Sequence, residues 1–185
     1  MTYLLAVLAA IALYVAIAYN GLTRLRLLAN SAWADIDVQL KRRHDLVPRL
    51  VETVKGHTGY ERGTIEAVVA ARNRATAATG PSASGAAEGQ LSGAVRQVFA
   101  LAEAYPDLKA GESFLSLQRS LTEIEDHIQN ARRYYNAVVR DLNTKVAQFP
   151  SNLVAGPFGI GPREFFGLAD AAEAAAPGIE FGRNP

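Results

Sequence analysis

The sequence predicts an all-α fold: an N-terminal transmembrane helix that continues into an elongated antiparallel three- to four-helix bundle with coiled-coil-like packing. Three observations predict it. The chain opens on an uncharged apolar run, and no segment alternates with the period of two that marks a half-buried strand. Between Phe114 and Phe149, apolar residues keep a 3-4 spacing over five heptads.

The opening stretch MTYLLAVLAAIALYVAIAYN carries no charged side chain, and Thr2 to Tyr19 gives eighteen consecutive residues suited to lipid. As a helix rising about 1.5 Å per residue it is roughly 27 Å long, enough to cross a hydrocarbon core. Tyr3 and Tyr19 stand near its ends, where aromatic rings favour the membrane–water interface. The stretch Ala16–Ala18 fits the small-x-small rule of signal-peptide cleavage, but no Lys or Arg precedes the apolar run, which favours a retained anchor over residues 1–22. Arg24 and Arg26 follow the span and no basic residue precedes it. The positive-inside rule then puts the N-terminus outside and the C-terminal domain in the cytoplasm of a bacterial cell, as a single-pass protein of the inner membrane.

Residues 23–149 read as the helical bundle. Its first stretch, from about Leu22 to Ala78, carries Trp33, Ile36, Leu40, Val47, Leu50, Val51 and Val54 on one stripe. Pro48 is expected to kink it, and Gly56 and Gly59 to weaken the next turns. The small residues of TGPSASGAAEG, residues 79–89, predict a flexible linker. A shorter helix then ends at YPDLKAGES, a turn at about 105–112, because the residue before a proline is pushed out of the helical region. The last long helix carries Phe114, Leu117, Leu121, Ile124, Ile128, Ala131, Tyr135, Val138, Leu142 and Phe149 along one seam, and stops at Pro150. Residues 150–185 form a Gly/Pro/Phe-rich tail with a short helix expected after Pro162, which suits a first turn. Five of the seven phenylalanines lie beyond residue 148, so the tail is expected to dock on its own bundle. Phe158, Gly159, Ile160 and Gly161 are the part expected to stay open for a partner or a second copy, and the acidic residues from Glu164 onward argue against lipid contact for the tail as a whole.

The chemistry-bearing residues read as structural. Asp37, Lys41, Asp45 and Arg49 lie four apart and alternate in sign, a ladder of surface ion pairs. Lys41 is 22 residues beyond Tyr19, roughly 33 Å along a continuous helix, too far for Lys41, Arg42 and Arg43 to reach anionic lipid. His44 falls between Leu40 and Val47, and Asp37, His44, Asn136 and Asn143 are the candidates for a buried polar packing layer that fixes register. His57 with Glu61, and Glu123 with His127, each supply two ligands at most, so no metal site is expected. The glycine-rich AGPFGIGP lacks the Lys-Ser/Thr ending of a phosphate loop, and no serine sits in a nucleophile elbow. No catalytic or cofactor-binding residue, and no small-molecule substrate, is indicated. The absence of cysteine removes thiolate chemistry, and a formal charge of +1 does not point to nucleic acid.

The stretches AWADIDVQLKRRHDLVPRLVETVKG, ARRYYNAVVRDLNTKVAQFPSNLVAG and FFGLADA resemble the LemA family of bacterial membrane-anchored proteins, in order and over nearly the whole chain. The resemblance implies a single N-terminal span and a helical-bundle domain without enzymatic activity. The function expected is a membrane-tethered non-enzymatic scaffold or adaptor that holds the bilayer through residues 1–22 and docks a partner protein. The alternative is a structural homo-oligomer that builds a membrane-associated assembly.

Overall fold

The computed structural model describes residues 1–56 and 62–167. Those residues form α1 (Thr2–Lys55), α2 (Arg62–Ala77), α3 (Pro81–Ala102), α4 (Pro106–Ala110), α5 (Glu112–Ala147) and α6 (Asn152–Ala155), with no strand among them. The bilayer-length apolar run is therefore the first third of α1, a helix of 54 residues that extends roughly 80 Å. None of its apolar window is buried among the described residues.

Beyond that window, α1 buries Leu22, Ala29, Ile36, Arg43 and Leu50, one residue every seven. In α5 the same step buries Phe114, Leu121, Ile128, Tyr135 and Leu142. The two series meet in opposite directions. Leu22 shares a core cluster with Leu142, Ala29 with Tyr135, Ile36 with Ile128, and Leu50 with Phe114. The helices are thus antiparallel and in a defined register, because a residue every seven keeps one edge of a helix facing its neighbour. Around Val47, Leu50, Val51 and Val54 the core widens to take in Ile65, Val68 and Ala71 of α2 and Leu91, Val95 and Val98 of α3. Leu108 of α4 joins the same cluster.

Several expectations are corrected. Residues 79–89 are not a linker. The connection is only residues 78–80, with Gly80 at φ +84°, and Pro81 opens α3, since its fixed φ and missing N–H suit a first turn. The small residues there serve packing: a Cβ on Gly85 would lie 2.2 Å from the backbone nitrogen of Gly167, so only glycine lets the tail pass. The turn at 105–112 holds a helical turn of its own, α4. The stretch expected from Leu22 to Ala78 is two helices: α1 runs through Pro48, which lies on its exposed side, and ends at Lys55, and α2 follows from Arg62. Phe149 leaves the seam: α5 ends at Ala147, and Phe149 is 73% exposed. No helix follows Pro162 among the described residues; residues 161–165 are without regular structure, and the rest of the expected helix lies outside the described residues.

The Gly85 contact yields a paired test. Gly85→Ala should lower the unfolding free energy by about 1–3 kcal/mol, because the tail backbone has to move. Gly89→Ala, on an exposed helical position with nothing within 4 Å of the added carbon, should raise it by about 0.5–1 kcal/mol. Urea unfolding of the two variants checks both signs.

Candidate functional site

Two polar constellations stand out, and both sit on the α1–α5 frame. The first is a charged network where α3 crosses α1 and α5. Arg43 occupies a core step of α1 and is 4% exposed. Its guanidinium donates to Ser92 Oγ at 2.6 Å and pairs with Glu125 at 3.0 Å and Glu88 at 3.5 Å. His44 Nε2 meets the other oxygen of Glu88 at 2.5 Å, and Ser92 donates to Glu125 at 3.0 Å. Beside the network, Arg43, Ser92, Val95, Arg96, Phe99, Leu121 and Glu125 line an open cavity of about 210 Å³. Burial alone would raise the Glu125 carboxyl, but the hydrogen bond from Gln129, the Arg43 charge, the Ser92 hydroxyl and Arg96 outweigh it, and the group is held below its ordinary range. The Ser92 hydroxyl bridges the network, accepting from Arg43 and donating to Glu125.

The second constellation is a strap. From Ile160 the chain runs back along α5, and two asparagines one step of seven apart grip it by its main chain. Asn143 accepts from the Arg163 N–H at 2.8 Å and donates to its carbonyl at 2.9 Å. Asn136 accepts from the Phe166 N–H at 2.9 Å and donates to its carbonyl at 3.2 Å. Each side-chain amide satisfies both polar groups of one residue, as a neighbouring strand would. Tyr135 donates to the Glu164 carbonyl at 2.9 Å, Arg132 to that of Gly167 at 3.2 Å, and Arg163 reaches Asn30 of α1 at 2.5 Å. The Phe166 ring is buried 5.8 Å from Trp33.

The four residues expected to share one polar layer are thus divided. Asn136 and Asn143 hold the strap, and His44 belongs to the charged network. Asp37 joins neither: its half-exposed carboxylate pairs with Lys41 at 2.6 Å, because it lies one residue past the buried step at Ile36. That bond is the first rung of the expected surface ladder. The patch 158–161 is also divided, since Ile160 is buried against Leu22 and Leu142 while Phe158 is half exposed against Tyr19. Among the described residues no group of three or more His, Asp or Glu is placed to hold a metal ion; His57 and Glu61 lie outside them. Sequence reasoning missed Arg43 and Glu88. The signal for Arg43 was its place seven residues from both Ile36 and Leu50; Glu88 was hidden in the supposed linker.

The described residues are all-helical, with one apolar helix among them long enough to cross a membrane, and these features define the class of protein. The LemA family model matches residues 32–181, and the chain belongs to the LemA family. It is 27% identical to Protein LemA of Metamycoplasma hominis over 119 residues, 62% of this chain and 53% of that one. It is 30% identical to Magnetosome proteins MamQ 1 and MamQ 2 of Paramagnetospirillum magneticum over 80 residues, 43% of this chain and 29% of theirs. The chain thus spans well under two thirds of the length of these relatives.

Two tests follow from the geometry. Asn136→Ala would strand the buried Phe166 N–H and carbonyl together and should cost about 2–4 kcal/mol, against about 1 kcal/mol for the more open Asn143→Ala, both read by urea unfolding. For Glu125, a carboxyl lowered in the folded state binds its proton more readily when unfolded. Its contribution is complete above the ordinary value of 4.5 and is lost as the pH falls through the lower folded value. Unfolding free energy should therefore fall more steeply below about pH 4.5 in the native chain than in Glu125→Gln.

Proposed function

We propose that this chain is a membrane-tethered, non-enzymatic helical scaffold that docks partner proteins at the inner face of the bacterial membrane. One observation carries the reading: the uncovered apolar third of α1 runs without interruption into the part of the same helix that holds the core. Val15 and Ala18, inside the apolar run, already pack against the core cluster of Leu22, Leu142, Val154, Ala155 and Ile160. Cleavage after Ala18 would strip the domain of part of its own packing, which supports an anchor over a signal peptide. Arg24 and Arg26 are exposed just beyond the span and favour a cytoplasmic domain. The polar constellations support scaffolding, because every group in them is spent on holding helices and strap in place.

A second reading, the homo-oligomer, has its own observation. Leu27 and Val38 lie eleven residues apart on one side of α1, and both are exposed, as is Tyr134 of α5. Such an apolar flank suits a second copy.

A C-terminal phosphatase fusion should be inactive and a C-terminal fluorescent protein bright; an active phosphatase would reverse the orientation. A mature chain beginning at Tyr19 would remove the anchor. Crosslinking in intact cells should give a band joined to a foreign protein, whereas a ladder of self-multiples would replace the scaffold with the oligomer.

A further inference from the structure

Phe149, Leu153 and Phe158 are 73%, 65% and 51% exposed, three large apolar side chains left open within ten residues of one another. All three lie in the corner that joins α5 to the strap through α6. The antiparallel register fixes the height of that corner. Leu142 shares a core cluster with Leu22, and Val15 and Ala18 of the apolar run pack against that same cluster, which includes Val154 and Ala155 of the corner, so the corner reaches the level of Val15. Val15 is four residues inside the apolar run from Tyr19, about 6 Å below it along the helix. Phe158 is fixed at the level of Tyr19 itself, their ring centroids 4.7 Å apart.

We infer that the corner 149–158 is a second membrane contact, which inserts Phe149, Leu153 and Phe158 into the headgroup region of the leaflet that α1 crosses. The inference rests on the reading of residues 2–19 as a span, and adds to it a site that no span by itself provides. A bilayer that covers Thr2 to Tyr19 has to meet the corner, because the corner stands beside the run and not above it. The depth of about 6 Å matches that of interfacial apolar residues. Charge agrees. No acidic residue occurs between Asp141 and Glu164, nor before Asp35, so at this end Arg24, Arg26, Arg140, Lys145 and Arg163 stand against Asp141. The amine of Lys145 lies next to Gly21, where a long basic side chain meets phospholipid headgroups. The expectation that acidic residues keep the tail off lipid holds only from Glu164 onward, after the chain has turned away along α5.

The chain has no cysteine, so single cysteines report single places. Phe149→Cys, Leu153→Cys and Phe158→Cys, each in the full chain, carry a spin label in vesicles of zwitterionic and anionic phospholipid. Leu8→Cys reports the span, and Ser116→Cys, exposed near the far end of α5, reports water. Far-UV circular dichroism verifies that each labelled chain is helical. Collision with oxygen should exceed collision with a water-soluble nickel complex at the three corner positions and at residue 8, with a shallower depth at the corner. Corner labels open to nickel would overturn the inference while a lipid-exposed Leu8→Cys label leaves the anchor standing. Corner labels shielded from both agents would assign the patch to a protein partner or a second copy and overturn it equally. A Leu8→Cys label open to nickel would remove the span, and the inference with it.

Discussion

The register between α1 and α5 is the constraint on which the rest depends. A core residue every seven positions on each helix makes the pair mutually specifying, but an apolar seam alone tolerates slippage by one repeat. Arg43 removes that tolerance. It occupies a core step between Ile36 and Leu50, and its charge is acceptable only where Glu88, Ser92 and Glu125 surround it. A slip of seven residues would leave it against Ile128 or Phe114, and a buried charge without partners costs roughly 3–5 kcal/mol. The network therefore acts on alignment, and it recruits α3 in doing so, because Glu88 and Ser92 come from that helix.

The strap extends the same logic by other means. Asn136 and Asn143 follow Tyr135 and Leu142 on α5, so the seven-residue step that aligns the seam also spaces the two amides. Arg163 and Phe166 are three residues apart on an extended chain and span about 10 Å, the rise of seven helical residues. Helix and strap match in length, which is why two side chains suffice to hold a segment that makes no backbone ladder of its own. Gly85 completes the fit from the side of α3 by letting two backbones meet where any larger residue would keep them apart.

Much of this was legible in the sequence wherever periodicity carried it. The seam from Phe114 to Leu142 and the apolar stripe of α1 were visible because burial repeats at a fixed step. The glycine- and serine-rich stretch before Gly89 misled for a physical reason: small residues permit either flexibility or close approach, and only the partner backbone distinguishes them. His44 attracted attention as the polar residue between Leu40 and Val47, whereas the step of seven pointed one position earlier, to Arg43. Asn136 and Asn143 were recognisable as polar groups beside the seam, but their partners are backbone atoms some 20 to 30 residues away, which no local pattern announces.

The strap also sets the height of its own last contact. Gly167 is bound by Arg132, close to the level of Tyr135 and hence of Ala29, ten residues past Tyr19. With the apolar third of α1 in a bilayer, that contact is about 15 Å from the interface, whereas the end of α1 at Lys55 stands about 54 Å away. The described residues thus present surfaces at two heights. A partner bound at the strap would therefore lie near the lipid headgroups, and one bound at the far end of α1 would be held at several times that distance.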